Sequence, residues 1–165
     1  MEPAEIRLQA DVQTDTTRQG PAPDFVLPTL EGDSLRLSDF RGQVVVLNFW
    51  ATWCAPCRTE TPALIALHNA LEPYGLTVIG VALDSPMPLS TTEPKELVGL
   101  FTERLGVPYP ILLGTRAVTE AYDGVWTLPT TYIIDQKGQI VLRVMGMLPV
   151  DEVRPTLNAL LGVTD

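Results

Sequence analysis

The strongest constraint on the fold is a strongly apolar run, Val44–Trp50, that is rich in β-branched residues. Its apolar side chains occupy successive positions rather than alternate ones, which is typical of a strand buried on both faces of a sheet. A helical pattern follows at Ala55–Leu71, where Leu64, Leu67 and Leu71 share one face. A buried strand that is followed closely by a helix predicts a strand–helix–strand unit with parallel strands.

Similar patterns predict the remaining elements. Turns at residues 31–33 and 135–138 each predict a hairpin. The predicted strands are residues 25–27, 34–37, 44–50, 77–83, 111–113, 130–134 and 139–144, and the predicted helices are residues 55–71, 94–105, 115–122 and a closing helix through residues 153–161. The late hairpin adds antiparallel strands to the parallel pairs. The expected fold class is therefore α/β, with a mixed central sheet, helices on both faces and an N-terminal β-hairpin.

The first 23 residues differ from the rest of the chain. They are polar and punctuated by proline and glycine, which predicts a flexible tail or tether at residues 1–23 and one folded domain at residues 24–165. The alternative is a first strand led by Ile6 and Leu8. No apolar stretch reaches the length of a membrane span, and the start lacks a signal-peptide pattern, so no direct membrane insertion is expected.

Composition argues against several functions. The chain has 11 Lys and Arg residues and 20 Asp and Glu residues, which give a net charge of −9. A phosphate backbone, which is also negative, would repel such a protein. Nucleic acid is therefore not expected as a partner. Two cysteines and one histidine cannot supply the usual four-ligand zinc site, so we expect no metal, and nothing in the sequence calls for an organic cofactor.

Both cysteines lie together, where the buried strand gives way to the helix. Cys54 and Cys57 are separated by two residues, so their Cβ atoms would lie about 5–6 Å apart on one helix face, near the separation that a disulfide needs. Cys54 falls at the helix N-terminus, which favours a thiolate. Cys57 lies one turn further in. We therefore expect Cys54 to be the attacking thiol and Cys57 the resolving thiol of a redox pair.

Three other roles fit the cysteines less well. A purely structural disulfide that closes so short a loop would contribute only about 2 kcal/mol. A zinc site would need further ligands, and His68 lies about 16 Å along the helix from Cys57. Covalent haem attachment would need histidine directly after the second cysteine, where the sequence has Arg58.

The segment at residues 48–57, which ends in Trp53-Cys54-Ala55-Pro56-Cys57, resembles the active site of thioredoxin-fold proteins. More narrowly, it resembles the TlpA/ResA group of thiol–disulfide oxidoreductases, which includes cytochrome c maturation proteins. The resemblance extends from about Gly20 to the C-terminus and includes residues 22–25, 37–42 and 128–135. It implies that residues 24–165 form a thioredoxin-like domain with a redox-active disulfide.

The resemblance also implies roles for residues outside the cysteine pair. Pro129 matches the cis-proline that faces the two cysteines, and Leu128 would expose its backbone to a substrate chain. The implied substrate-binding residues are Trp53, Ala55, Pro56, Leu128 and Pro129. Glu60 matches an acidic residue near the active site; one turn beyond Cys57, it is the expected proton carrier. His68 is expected to be a helix-surface or packing residue.

The function implied by the resemblance is exchange of disulfides with partner proteins, as part of cell redox homeostasis. The chain would act as a reductant outside the cytoplasm, with apocytochrome c or other exported proteins as substrates and a thiol-reducing membrane protein as electron donor. We expect a monomer that is periplasmic or membrane-tethered, with its export signal absent from this chain; a cytoplasmic location is the alternative.

Two rival functions stay open. Residues 22–25 and 37–40 also resemble the start of peroxiredoxins, which are thiol-dependent peroxidases. Peroxiredoxins place Pro and Thr or Ser seven and three residues before the attacking cysteine, where this chain has Leu47 and Ala51 before Cys54. The second rival is a non-catalytic metal- or haem-delivery module, although copper-binding relatives space their cysteines by three residues and add a distal histidine.

Overall fold

The computed structural model describes residues 13–15 and 20–164. These residues form nine strands and four helices, and strands and helices alternate only from β5 to β8. The strands are β1 (Gln13–Asp15), β2 (Gly20–Pro21), β3 (Val26–Pro28), β4 (Ser34–Arg36), β5 (Val44–Trp50), β6 (Leu76–Ala82), β7 (Ile111–Leu113), β8 (Thr130–Ile134) and β9 (Gln139–Met145). The helices are α1 (Ala55–Leu71), α2 (Pro94–Leu105), α3 (Arg116–Ala121) and α4 (Val150–Leu161). The predicted α/β fold is confirmed.

The central sheet is mixed, with β5 in its middle. The order is β1-β9-β8-β5-β6-β7, and β2 also pairs with β9. β5 is parallel to β6 and antiparallel to β8, and all seven of its residues are buried. Because β5 ends at Trp50 and α1 begins at Ala55, the residues between them lie at the carboxyl edge of the central strand.

The two faces of β5 contribute to two different cores. Val44, Val46 and Trp50 pack with residues of α1, α2 and α4. Val45, Leu47 and Phe49 pack with the hairpin β3–β4 and α3. This division explains why the run of apolar residues in the sequence is continuous rather than alternating.

The N-terminal hairpin forms a separate two-stranded sheet of β3 and β4. It contacts the main sheet through a bridge between Thr29 and Leu112 of β7. Asp24 links the start of β3 to the residues after β4. Its Oδ1 accepts hydrogen bonds from the backbone N–H groups of Phe25 and Ser38, and its Oδ2 accepts one from the Ser38 hydroxyl. The predicted N-terminal hairpin is confirmed.

Part of the segment predicted as a tail pairs with the sheet. Gln13–Asp15 and Gly20–Pro21 add antiparallel strands to β9. Residues 1–12 and 16–19 lie outside the described residues, as does the alternative strand at Ile6 and Leu8, so the domain boundary at residue 24 stays a prediction. Within the described part of the chain, no helix is long and apolar enough to cross a membrane.

Candidate active site

Cys54 and Cys57 are joined by a disulfide at the start of α1. Cys54 is the N-cap residue of the helix, and its Sγ accepts a hydrogen bond from the Cys57 backbone N–H at 3.3 Å. The two Cα atoms are 5.3 Å apart, within the usual range for a disulfide. Both residues are buried, with Cys54 5% and Cys57 2% exposed. The Cys54 sulfur therefore lies at the N-terminus of α1, as expected from the sequence. Pro56 lies in the first helical turn.

The turn before Cys54 is held by the connection that follows β6. The carboxylate of Asp84 accepts hydrogen bonds from both the backbone N–H and the hydroxyl of Thr52. The indole N–H of Trp53 donates to the Met87 carbonyl at 2.8 Å. Trp53 is half-buried, so only part of its ring is available to a partner.

Glu60 is a buried carboxyl one turn beyond Cys57, and only 2% of it is exposed. Its Oε1 accepts a hydrogen bond from Asn48 Nδ2 at 3.0 Å, and its Oε2 accepts one from the Leu148 backbone N–H at 2.8 Å. Burial raises the pKa of Glu60 to about 7, because the cost of desolvating the charged form exceeds the lowering effect of these two hydrogen bonds. A carboxyl with this pKa can gain or lose a proton near neutral pH.

Polar and aromatic groups complete the surroundings of Glu60. Asn48 also donates to the Thr131 hydroxyl at 3.0 Å, which orients its amide toward Glu60. Burial raises the pKa of Tyr109, and the negative charge of Glu60 adds to that rise. The His68 ring packs against Tyr109 with 5.7 Å between ring centroids, and its Nδ1 accepts a hydrogen bond from Val78 N–H. His68 is therefore a packing residue, as expected.

A cleft of about 530 Å³ lies beside the cysteine pair. Its lining includes Pro56, Leu128 and Pro129, together with residues 146–152. The peptide bond between Leu128 and Pro129 is cis, as predicted, and the Pro129 carbonyl accepts a hydrogen bond from Gly146 N–H at 2.8 Å. The cleft brings together three of the five predicted substrate-binding residues. The other two, Trp53 and Ala55, are not among its lining residues.

Comparison with known proteins agrees with this geometry. The family model "AhpC/TSA family" matches residues 19–143. The thiol-disulfide oxidoreductase ResA of Geobacillus thermodenitrificans is 38% identical over 140 residues, which cover 84% of this chain and 75% of the relative. The ResA protein of Bacillus subtilis is 36% identical, over 83% of this chain and 72% of the relative.

The chain belongs to the ResA-like thiol–disulfide oxidoreductases of the AhpC/TSA family.

Solved structures agree with this assignment. A thiol:disulfide interchange protein of the thioredoxin family from Chlorobium tepidum has a TM-score of 0.75 and 26% identity, over 88% of this chain and 99% of that one. A secreted thiol-disulfide isomerase from Corynebacterium glutamicum has a TM-score of 0.76 and 25% identity, over 98% of this chain and 96% of that one. The predicted thioredoxin-like fold and the resemblance to the TlpA/ResA group are both confirmed, and the chain is a disulfide oxidoreductase.

Three groups near the redox pair of this oxidoreductase were missed by the sequence analysis. The first is Asn48, whose side-chain amide donates a hydrogen bond to Glu60. A polar residue inside a buried strand is a signal that could have marked it. The Leu148 N–H is a backbone group and has no signal in the sequence. Asp84 follows a buried strand, which is a weak signal for a residue near the site.

Proposed function

We propose that this oxidoreductase acts as a reductant of disulfides in exported proteins outside the cytoplasm. The observation that supports disulfide exchange with a bound chain is the position of the Cys54–Cys57 pair at the N-terminus of α1, next to a cleft lined by Pro56, Leu128 and Pro129. A substrate chain that lies in this cleft would present its disulfide to Cys54.

In the proposed reaction, the reduced enzyme transfers two electrons to its substrate. The Cys54 thiolate attacks one sulfur of the substrate disulfide, the substrate S–S bond breaks, and the first substrate thiolate leaves. The Cys57 thiolate then attacks Cys54 Sγ, which breaks the mixed disulfide and releases the second substrate thiol. The Cys54–Cys57 disulfide remains and must be reduced by a thiol donor before the next cycle.

Glu60 is the proposed proton carrier for Cys57. Cys57 is almost completely buried, so its proton needs an acceptor within the protein. Glu60 lies one turn away on α1, and its pKa of about 7 allows the carboxylate form to accept that proton near neutral pH. When the enzyme is reduced again, the proton would return to Cys57.

The names of the relatives support a proposal for the location and the substrates. The C. glutamicum structure carries the description "secreted", and the relatives compared above are named ResA. We propose a periplasmic or membrane-tethered monomer that acts in cytochrome c maturation, with apocytochrome c or another exported protein as its substrate. A membrane protein with reducing thiols is the proposed electron donor. The lining of the cleft is mainly apolar, which suits a substrate segment with apolar side chains beside its cysteines.

Serine substitutions of the two cysteines test these roles. Cys54→Ser should abolish insulin reduction, because no attacking thiolate remains. Cys57→Ser should accumulate mixed disulfides with substrate, because the resolving step is lost; non-reducing gels followed by mass spectrometry detect them. Residual insulin reduction by Cys54→Ser would contradict the role of Cys54 as the attacking thiol. Mixed disulfides formed by Cys54→Ser instead of Cys57→Ser would mean that the two cysteines have exchanged roles.

The direction of electron transfer needs its own measurement. The Cys54–Cys57 reduction potential, determined against glutathione, should lie below that of glutathione for a reductant, and a potential well above it would identify an oxidant instead. Peroxide consumption at a rate comparable to insulin reduction would favour the peroxiredoxin alternative. Stoichiometric metal in the purified protein would favour the delivery module.

A further inference from the structure

Asp84 is a buried carboxylate that the proposed reaction does not use. It lies two residues beyond the end of β6 and is 2% exposed. Its two oxygens lie 3.1 and 3.3 Å from the Thr52 backbone nitrogen, and Oδ2 also accepts from the Thr52 hydroxyl. Among the residues that the structure describes, Thr52 supplies every hydrogen bond that Asp84 accepts. The hydrogen bonds that Asp84 accepts from described residues therefore all come from one residue, two positions before Cys54.

The same turn is also held from other directions. The Thr52 carbonyl accepts a hydrogen bond from Arg58 Nη1 of α1 at 2.9 Å. The neighbouring Trp53 indole donates to the Met87 carbonyl, which belongs to the same connection as Asp84. Cys54 N–H donates to the Ala51 carbonyl at 3.2 Å. With the N–H, hydroxyl and carbonyl of Thr52 all engaged, the position of the following Cys54 depends on these contacts.

Burying a carboxylate costs free energy that its hydrogen bonds must offset. Asp84 meets this cost through contacts to the active-site turn and not through a partner cation among the described residues. A side chain used only for packing would not need polar atoms at this point, so the arrangement indicates that the placement of the turn matters.

We infer that Asp84 is a positioning residue for the thiol–disulfide reaction, which fixes the Thr52–Trp53 turn and thereby holds Cys54 at the N-terminus of α1. The inference rests on the proposed role of Cys54 as the attacking thiol. After the disulfide opens, Cys54 Sγ is stabilised as a thiolate only while it stays at the helix N-terminus, near Cys57 N–H. A turn released from Asp84 would allow the sulfur to move away from these N–H groups.

The test is the pH profile of Cys54 alkylation by iodoacetamide in the reduced, full-length protein, followed by mass spectrometry. Asp84→Glu keeps the acidic group but displaces its oxygens from Thr52, so it should move the midpoint of the profile to higher pH and slow alkylation at pH 7 by about five- to tenfold, since the thiolate loses part of its stabilisation. Thr52→Val should produce a smaller change in the same direction. Thr52→Ser keeps the hydroxyl and should retain the wild-type profile.

Thr102→Val is the matched control, because it also removes one threonine hydroxyl, which donates to the Gly99 carbonyl in α2, away from the active site. It should leave the alkylation profile unchanged even where it lowers stability. A wild-type profile in Asp84→Glu would overturn the inference, whatever that variant does to the free energy of unfolding. If Asp84→Glu does not fold, identical profiles for Thr52→Val and wild type would overturn it.

The outcome for the wild-type protein separates this inference from the proposed function. Faster alkylation of Cys57 than of Cys54 in the wild type would contradict the proposed roles of the cysteines. Faster alkylation of Cys54 in the wild type, with no effect of Asp84→Glu or Thr52→Val, would contradict only the positioning role of Asp84.

Discussion

At the scale of single residues, Glu60 shows how burial and hydrogen bonding act against each other. The sequence placed it one helical turn from Cys57, and that spacing predicts a shared helix face. Its burial and its contacts with Asn48 and Leu148 could not be predicted, because they depend on how α1 and the residues after β9 pack on the sheet. The two donors favour the charged form, but desolvation is larger, and the pKa rises to about 7.

Glu60 should make the stability of the oxidised protein decrease as pH rises. In the unfolded chain its pKa is near the ordinary value of 4.5, whereas in the folded protein it is about 7. Below pH 4.5 the group is protonated in both states. Between pH 4.5 and 7 the unfolded chain releases this proton while the folded protein retains it, so the free energy of unfolding falls by roughly 3 kcal/mol and then levels off. Urea denaturation across this pH range measures the fall.

Glu60→Gln is the control for this prediction, because glutamine does not titrate. The variant should be less stable overall, since its side chain offers one acceptor oxygen to two donors. The informative quantity is the slope of stability against pH, which should lack the contribution of Glu60. Equal slopes for the variant and the wild type would show that Glu60 is not the group responsible.

At the scale of secondary structure, α1, α2, β5, β7 and β8 have the bounds that the sequence predicted. Each of these elements is either long and apolar or bounded by a clear sequence signal, such as the proline at which α2 begins. The prediction missed β1 and β2, which are short and owe their structure to pairing with β9 rather than to their own residues. It also missed the 3₁₀ turns Leu37–Phe40 and Glu72–Tyr74, whose length is too short for a periodic pattern.

Two glycines, one beside a strand and one within a helix, should respond in opposite directions to substitution by alanine. At Gly114, next to the end of β7, a Cβ would lie 2.9 Å from the Ala82 backbone carbonyl and 2.6 Å from Leu83 Cδ2. Gly114→Ala should therefore lower the free energy of unfolding by about 1–3 kcal/mol. At Gly99, within α2, a Cβ would enter open space, so Gly99→Ala should raise it by about 0.5–1 kcal/mol.

Chemical denaturation of both variants and the wild type measures these changes. The close approach at Gly114 includes a main-chain oxygen, which itself accepts a hydrogen bond from Gly114 N–H at 2.8 Å and so cannot easily shift. Unchanged stability in Gly114→Ala would mean that the strand end relaxes more freely than this hydrogen bond implies.

At the scale of the whole molecule, stability comes from two cores on opposite faces of one sheet, and the redox pair belongs to only one of them. Cys54 and Cys57 pack in the core formed with α1, α2 and α4. The other core, beneath the hairpin and α3, contains neither cysteine. The fold class could be predicted because the order of strands and helices permits few arrangements. The cleft could not, since its lining comes from three separate segments of the chain.

Reduction should leave the molecule folded but slightly less stable. The disulfide closes a loop between residues only three positions apart, so it should contribute about 2 kcal/mol by restricting the unfolded chain. For a chain of this length, that difference corresponds to a decrease in Tm of about 4–8 °C. Thermal unfolding with and without a reductant measures it. A reduced protein that unfolds at the same temperature as the oxidised one, or above it, would contradict the prediction.

The pairing at the two edges of the sheet has a consequence for self-association. An uncovered edge strand offers its free N–H and C=O groups as a template on which another chain can add a strand, and this is a common route to aggregation. Here β1 and β2 occupy the outer side of β9, and Thr29 bridges to Leu112 on β7 at the opposite edge. Removal of β1 and β2 would therefore turn the seven-residue β9 into an edge strand on which another chain could add.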